Sequence, residues 1–322
     1  MVVAVPARGS RPRTRPSRLR WLPAVVVLLL LAGACGGGGS SAPSPSGSTV
    51  PGTLASARYY LSLGDSLAFG VQKTTAEAAG PSPIPATPFD KGYTNDIAAQ
   101  LQAQNPGITV TNLGCPGETS SSFLAGPCDY RTKAQGLLHT DYTGSQLSAA
   151  TLALTRDGGN GGLITLSLGG NDVNALLAQC PTVDPACLSP LITPAAAQLR
   201  TNLTRILQQL RSAAPSAIIV LVAPYNPYYA LSPQSDALVQ PFLQAAVAAA
   251  ADTHVLLANA FSDFNSGGSP GGPTGTERDR ICSLTNFCKN GDIHASDAGY
   301  AEMARLILAT VRQAGAPGTS SP

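Results

Sequence analysis

The chain has 322 residues, 43% of them hydrophobic, with 20 Lys or Arg against 18 Asp or Glu for a formal net charge of +2. Six of the basic residues are arginines within the first twenty positions, so the rest of the chain carries 14 basic and 18 acidic side chains, a balance of −4. A mildly acidic chain without a basic stripe excludes an electrostatic nucleic-acid binder, and no zinc or phosphate-loop motif is present.

Residues 1–20 contain no acid and lead into the short uncharged apolar run Trp21 to Leu31. That is the pattern of an export signal, too short in its apolar part to span a bilayer comfortably. It ends in Leu31-Ala32-Gly33-Ala34-Cys35, which resembles a bacterial lipoprotein signal. The resemblance implies a signal peptide over 1–34 and lipid on the Cys35 thiol, with membrane attachment through that anchor. The alternative is an ordinary secreted protein cut after Ala34. Residues 35–54 are rich in Gly, Ser and Pro and read as a tether, 55–316 as one domain, and 317–322 as a disordered tail.

Of seven cysteines, the six beyond Cys35 fall into local pairs: Cys115 with Cys128, Cys180 with Cys187, and Cys282 with Cys288. In an exported chain these are expected to be disulfides, although about fifteen pairings are open to six cysteines.

Within the domain the first predicted strand is Tyr59 to Leu63, which stops at Gly64-Asp65-Ser66. A serine on a tight turn at the carboxyl end of a strand, beside the free N–H groups of a following helix, lies where open α/β sheets bind ligands. Ser66 is therefore the candidate nucleophile. A helix over Tyr93–Gln104 precedes a strand over Ile108–Leu113, and a helix over Gln146–Arg156 precedes a strand over Leu163–Leu168. Two more units follow, Ala195–Ala213 with a strand at Ala217–Val222, and Gln234–Ala251 with a strand at His254–Leu257. Near-continuous apolar strands alternating with helices require a parallel sheet covered on both faces. The expected fold is a three-layer α/β/α sandwich on a five-stranded parallel sheet, which brings Ser66, Gly114 and Asn171 to one edge.

Acyl transfer needs a nucleophile, a base and donors for the oxyanion. Of the three histidines, His139 lies in a loop, His254 opens a strand at the wrong end, and His294 precedes the last helix, which favours His294 as base. Four short motifs then stand in order: Gly64-Asp65-Ser66-Leu67, Asn112-Leu113-Gly114, Gly169-Gly170-Asn171-Asp172 and Asp292-Ile293-His294. Together they resemble the SGNH (GDSL-type) hydrolase family. The resemblance implies Ser66 as nucleophile, His294 as base, and an oxyanion hole from the Ser66 N–H, the Gly114 N–H and the Asn171 side chain. Many members carry an Asp three residues before the His, where this chain has Gly291; Asp292, one residue closer, is the candidate orienting acid, with a main-chain carbonyl near Gly291 as the alternative. The implied activity is a serine esterase that cleaves acyl esters, lipids or O-acetylated sugars, without metal or organic cofactor. A non-catalytic carbohydrate- or lipid-binding lipoprotein on the same fold is the second reading. Cys115 to Thr119 and the aromatics between Tyr225 and Tyr229 are candidate rim residues.

Overall fold

The computed structural model describes residues 54–78, 83–132, 136–159, 161–180, 184–267 and 271–315. The export segment, Cys35, nearly all of the tether and the tail 317–322 lie outside these residues.

Strands Tyr59–Gly64 (β1), Thr109–Asn112 (β2), Leu163–Ser167 (β3), Ile218–Ala223 (β4) and Leu256–Asn259 (β5) form one parallel sheet in the order β2-β1-β3-β4-β5. Because β1 and β3 are neighbours while β2 lies on the far side of β1, the connections leave these two strands in opposite directions. The crevice this opens at their carboxyl ends is where such sheets bind ligands.

Alternation along β1 sorts side chains between two cores. Tyr59, Leu61 and Leu63 join Ile164, Leu166, Ile219 and Leu221 beneath helices Gln146–Arg156, Pro185–Ala213 and Asp236–Thr253. Tyr60, Leu163, Val220 and Val222 face the other way, against Tyr93–Gln104 and Asp297–Gly315. The second core contains a cluster of paired buried hydroxyls, beside the Tyr93 OH, which has no hydrogen-bond partner among the described residues. Ser62 Oγ bonds Thr94 Oγ1 at 2.7 Å, Tyr60 OH bonds Thr165 Oγ1 at 3.1 Å, and Thr94 Oγ1 donates to Ala68 O at 2.8 Å. A hydroxyl cluster so paired avoids the desolvation penalty of an orphaned group and fixes helix Tyr93–Gln104 against the Ser66 turn.

Two segments differ from the sequence expectation. His254 does not open β5; it is the C-cap of helix Asp236–Thr253 in the left-handed region, φ 51°. The helix before β4 begins at Pro185, ten residues ahead of the expected start, and runs through Pro190 and Pro194. Proline removes a helical N–H, so the pattern reads as a break. Here Asp184 caps the first turn by accepting from Ala186 N at 3.0 Å, and the Cys180–Cys187 disulfide ties it down. The other two local pairs are also bonded, Cys115–Cys128 and Cys282–Cys288. Among the described residues no helix is long and apolar enough to cross a membrane.

Candidate active site

The turn after β1 is locked before any ligand arrives. Gly64 has φ 121°, and a Cβ there would sit 2.0 Å from Ser167 O, so only glycine lets β1 close against β3 at this point. Asp65 N donates to Ser167 O at 3.0 Å, and Ser167 Oγ donates to Asp65 Oδ1 at 3.0 Å. Asp65, not Ser66, is the N-cap of helix Ser66–Phe69, accepting from Leu67 N at 3.0 Å. Ser66 is thus the first helical residue, half-buried at the mouth of a cleft, with a main-chain N–H that the helix leaves without a partner. Burial pushes the Asp65 carboxyl up to about 6, against the opposing effects of the Leu67 and Ser167 hydrogen bonds and of His294.

His294 arrives from the far end of the chain. Its Nδ1 lies 2.5 Å from Asp292 Oδ1, which also accepts from the His294 main-chain N at 3.1 Å, while Asp292 Oδ2 accepts from Lys73 N at 2.7 Å. An acceptor-only carboxylate at Nδ1 makes that nitrogen the donor and leaves Nε2 as the free base. Burial raises the Asp292 carboxyl, but the bonds from the His294 ring, Lys73 and the His294 main chain outweigh it, and the net shift is downward. Gly291 instead caps helix Phe287–Asn290 at φ 73°.

The segment just after Ser66 holds this distant loop in place. Besides the Lys73 contact, Gln72 Nε2 donates to Asp297 Oδ1 at 2.8 Å and Tyr300 OH donates to Val71 O at 2.7 Å. Tyr225 OH supports it from the other side, donating to Ile293 O at 2.7 Å. His139 is a packing residue, with Nε2 2.8 Å from Phe69 O and its ring on that of Phe69.

Asn171 is the second residue of helix Gly170–Leu177, with Nδ2 donating to Glu118 O at 3.0 Å, so its other amide hydrogen remains available. Ser66, Asn171 and His294 line one cleft, about 600 Å³ counting its open mouth, whose remaining wall is mostly apolar, including Leu168, Val173, Pro224 and Val239. Neither Gly117 nor Gly114 lines it, and Gly114 is engaged elsewhere. Its N–H donates to Asn112 Oδ1 at 2.9 Å, and a Cβ there would meet Phe69 N at 2.7 Å, so this glycine serves close packing beneath the Ser66 helix. Three residues on, Gly117 has φ 85° with open space around its Cβ position, and its N–H meets no acceptor among the described residues. It sits in a turn closed by Glu118 N to Cys115 O at 3.0 Å, directly ahead of the carbonyl that holds Asn171. Its sequence signal is a glycine two residues before Thr119, the N-cap of helix Ser120–Ala125, inside the Cys115–Cys128 loop.

Behind that turn Gln146 clamps the end of β1, accepting from Gly64 N at 2.6 Å and donating to Gly64 O at 2.9 Å and Glu118 Oε2 at 3.0 Å. Glu118 is buried, and burial pushes its carboxyl up to about 7 from a usual 4.5, against the hydrogen bonds from Ser122 and Gln146. The folded state therefore holds a proton that the unfolded chain releases near 4.5, and stability declines as pH rises through about 4.5 to 7. A gap of that size corresponds to about 3 kcal/mol. Glu118→Gln is expected to flatten this decline in denaturant titrations, with Asp65 leaving a smaller slope of the same sign; equal slopes in both proteins would contradict it. Among the described residues no group of three or more His, Cys, Asp or Glu is placed to hold a metal ion.

The parallel sheet with a strand-end serine, an asparagine just after β3 and a carboxylate-bound histidine at its switch-point cleft is the arrangement of a hydrolase on a three-layer α/β/α sandwich. The model of the GDSL-like lipase/acylhydrolase family matches residues 62–302, and the chain belongs to that family. It is a GDSL-type carboxylic ester hydrolase. Among solved structures, an extracellular lipase from Streptomyces rimosus shares the fold at 19% identity and TM-score 0.50, over 79% of this chain and 99% of that one. An acetylxylan esterase from Geobacillus stearothermophilus matches at 16% identity and TM-score 0.47, over 80% of this chain and 96% of that one. No curated protein sequence matches the chain.

Proposed function

We propose that this chain is an extracytoplasmic serine esterase working through an acyl-enzyme on Ser66. The observation that carries the reading is the convergence on one apolar-lined cleft of Ser66, Asn171 and a histidine whose Nδ1 is bound by a buried carboxylate. Ser66 Oγ attacks the ester carbonyl carbon as its proton passes to His294 Nε2. The oxyanion that forms is met by the Ser66 N–H, the free hydrogen of Asn171 Nδ2 and, in place of Gly114, the Gly117 N–H. Collapse expels the alcohol, which takes the proton from His294. A water then attacks the acyl carbon, His294 receives its proton, and return of that proton to Ser66 Oγ releases the carboxylic acid. Asp292 holds the ring in the reactive tautomer throughout.

The apolar wall suits the acyl part of a simple ester, a lipid or an acylated glycan. Hydrolysis of p-nitrophenyl acetate, butyrate and longer esters tests the reading. Turnover of at least the short esters is expected, and binding without turnover would favour a carbohydrate- or lipid-binding role.

The three disulfides fit an oxidising compartment. Together with the export-type segment they support export, and the ending Leu31-Ala32-Gly33-Ala34-Cys35 supports a lipid anchor on Cys35, with residues 35–54 as the tether to the domain over 55–316. The mature chain is expected to begin with an acylated Cys35 and to partition into detergent. A mature N-terminus at any other residue in the mass spectrum would refute the anchor.

A further inference from the structure

From the hydrogen-bond polarity around Asn171 we infer that Asn174 and Tyr228 are positioning residues that hold the Asn171 amide in the orientation the Glu118 carbonyl sets, an inference that rests on the oxyanion role proposed above. Four groups form one chain across the cleft. Tyr228 OH donates to Asn174 Oδ1 at 2.8 Å, Asn174 Nδ2 donates to Asn171 Oδ1 at 3.2 Å, and Asn171 Nδ2 donates to Glu118 O at 3.0 Å.

The direction of every bond follows from one end. The main-chain carbonyl of Glu118 only accepts, so the Asn171 nitrogen must face it and the Asn171 oxygen must face Asn174. Asn174 must then present its own nitrogen, which turns its oxygen to Tyr228, and the tyrosine must donate. A reversed amide at position 171 would set oxygen against oxygen at Glu118 and nitrogen against nitrogen at Asn174, and would turn an acceptor toward the developing negative charge. Helix Gly170–Leu177 places Asn171 and Asn174 three positions apart, on one face. Tyr228 belongs to the separate turn Pro227–Ala230 after β4, and its ring is held edge-on against Phe287 at 5.9 Å between centroids. All three side chains line the cleft, so the chain is built at the site itself.

The role predicts an effect on the chemical step that vanishes once Asn171 is gone. Loss of one oxyanion donor costs about 10² to 10³ in kcat. On p-nitrophenyl acetate, Asn171→Ala is expected to fall in that range. Asn174→Ala is expected to lose about tenfold in kcat with KM within about twofold, and Tyr228→Phe a few-fold, because a loosened donor retains part of its effect. Asn174→Asp keeps the shape but replaces the donor by an acceptor facing Asn171 Oδ1, and is expected to lose more than Asn174→Ala. In an Asn171→Ala background the two outer substitutions should change kcat by less than twofold, since residues acting through a shared partner are not additive. Undiminished outer losses in that background, or changes confined to KM, would overturn the inference and make both residues cleft wall only. Wild-type kcat in Asn171→Ala would instead overturn the oxyanion role itself, and the inference with it. If Asn174→Ala does not fold, Tyr228→Phe removes a single oxygen from the same chain and decides the question alone in the same two backgrounds.

Discussion

Replacing Ser66 by alanine is expected to reduce ester turnover by about 10⁶ in kcat, the scale at which removal of a serine nucleophile leaves only binding and oxyanion stabilisation. The fold should be indifferent to the change. Asp65 supplies the cap of helix Ser66–Phe69, and Ser66 is its half-buried first residue, so the lost hydroxyl falls within the roughly 0.5 kcal/mol range of ordinary surface substitutions. A serine that only served the turn would behave in the opposite way, with stability reduced and turnover retained. His294→Ala is expected to match the Ser66→Ala loss, because the two groups act as a unit. The paired measurement is kcat on p-nitrophenyl butyrate beside the thermal midpoint of each variant.

The second large effect is that of Asp292→Asn, expected at about 10⁴ in kcat, the loss seen when the orienting carboxylate of a serine triad becomes an amide. Asp292 Oδ1 accepts from both the ring and the main chain of His294, and Oδ2 accepts from Lys73 N. An amide at this position can keep one oxygen for these donors but must turn its NH₂ on the others, so the ring loses either its tautomer or its seat. The carboxyl's lowered pKa has a stability consequence of definite sign. Its contribution is complete above the unfolded value near 3.8 and is lost as pH falls through the depressed folded value. Asp292→Asn should therefore remove part of the acid unfolding as well as the activity. A loss of only about tenfold in kcat, with near-complete loss in His294→Ala, would mean a Ser66–His294 dyad.

The fold was readable because a buried parallel sheet imposes a local signature. Apolar runs at Tyr59–Leu63, Leu163–Leu168 and Ala217–Val222 separated by amphipathic segments admit few other arrangements, and helices Tyr93–Gln104 and Gln146–Arg156 have the expected bounds. The signature failed where local chemistry argued against the tertiary outcome. Pro190 and Pro194 hid the first ten residues of helix Pro185–Ala213, and the apolar residues after His254 masked its role as a left-handed helix cap. At the site, Ser66, Asn171 and His294 were legible because each stands beside a strand end or a helix start. Gly114 and Gly117 were not separable by sequence, since both are turn glycines in one loop; only the engagement of the Gly114 N–H by Asn112 and the open surroundings of Gly117 distinguish them. The contacts that seat the histidine loop on Val71, Gln72 and Lys73 join residues more than two hundred positions apart, and no periodicity encodes such a pairing.

The most direct test of the Ser66 mechanism is to react the intact protein with a fluorophosphonate ester and map the adduct by peptide mass spectrometry. Attack by the serine hydroxyl on phosphorus expels fluoride and leaves a stable phosphonyl ester at the nucleophile. One equivalent on Ser66, with loss of esterase activity in step with labelling and no adduct in Ser66→Ala or His294→Ala, is the predicted result. A stoichiometric adduct on any other serine, or full activity in Ser66→Ala, would contradict it.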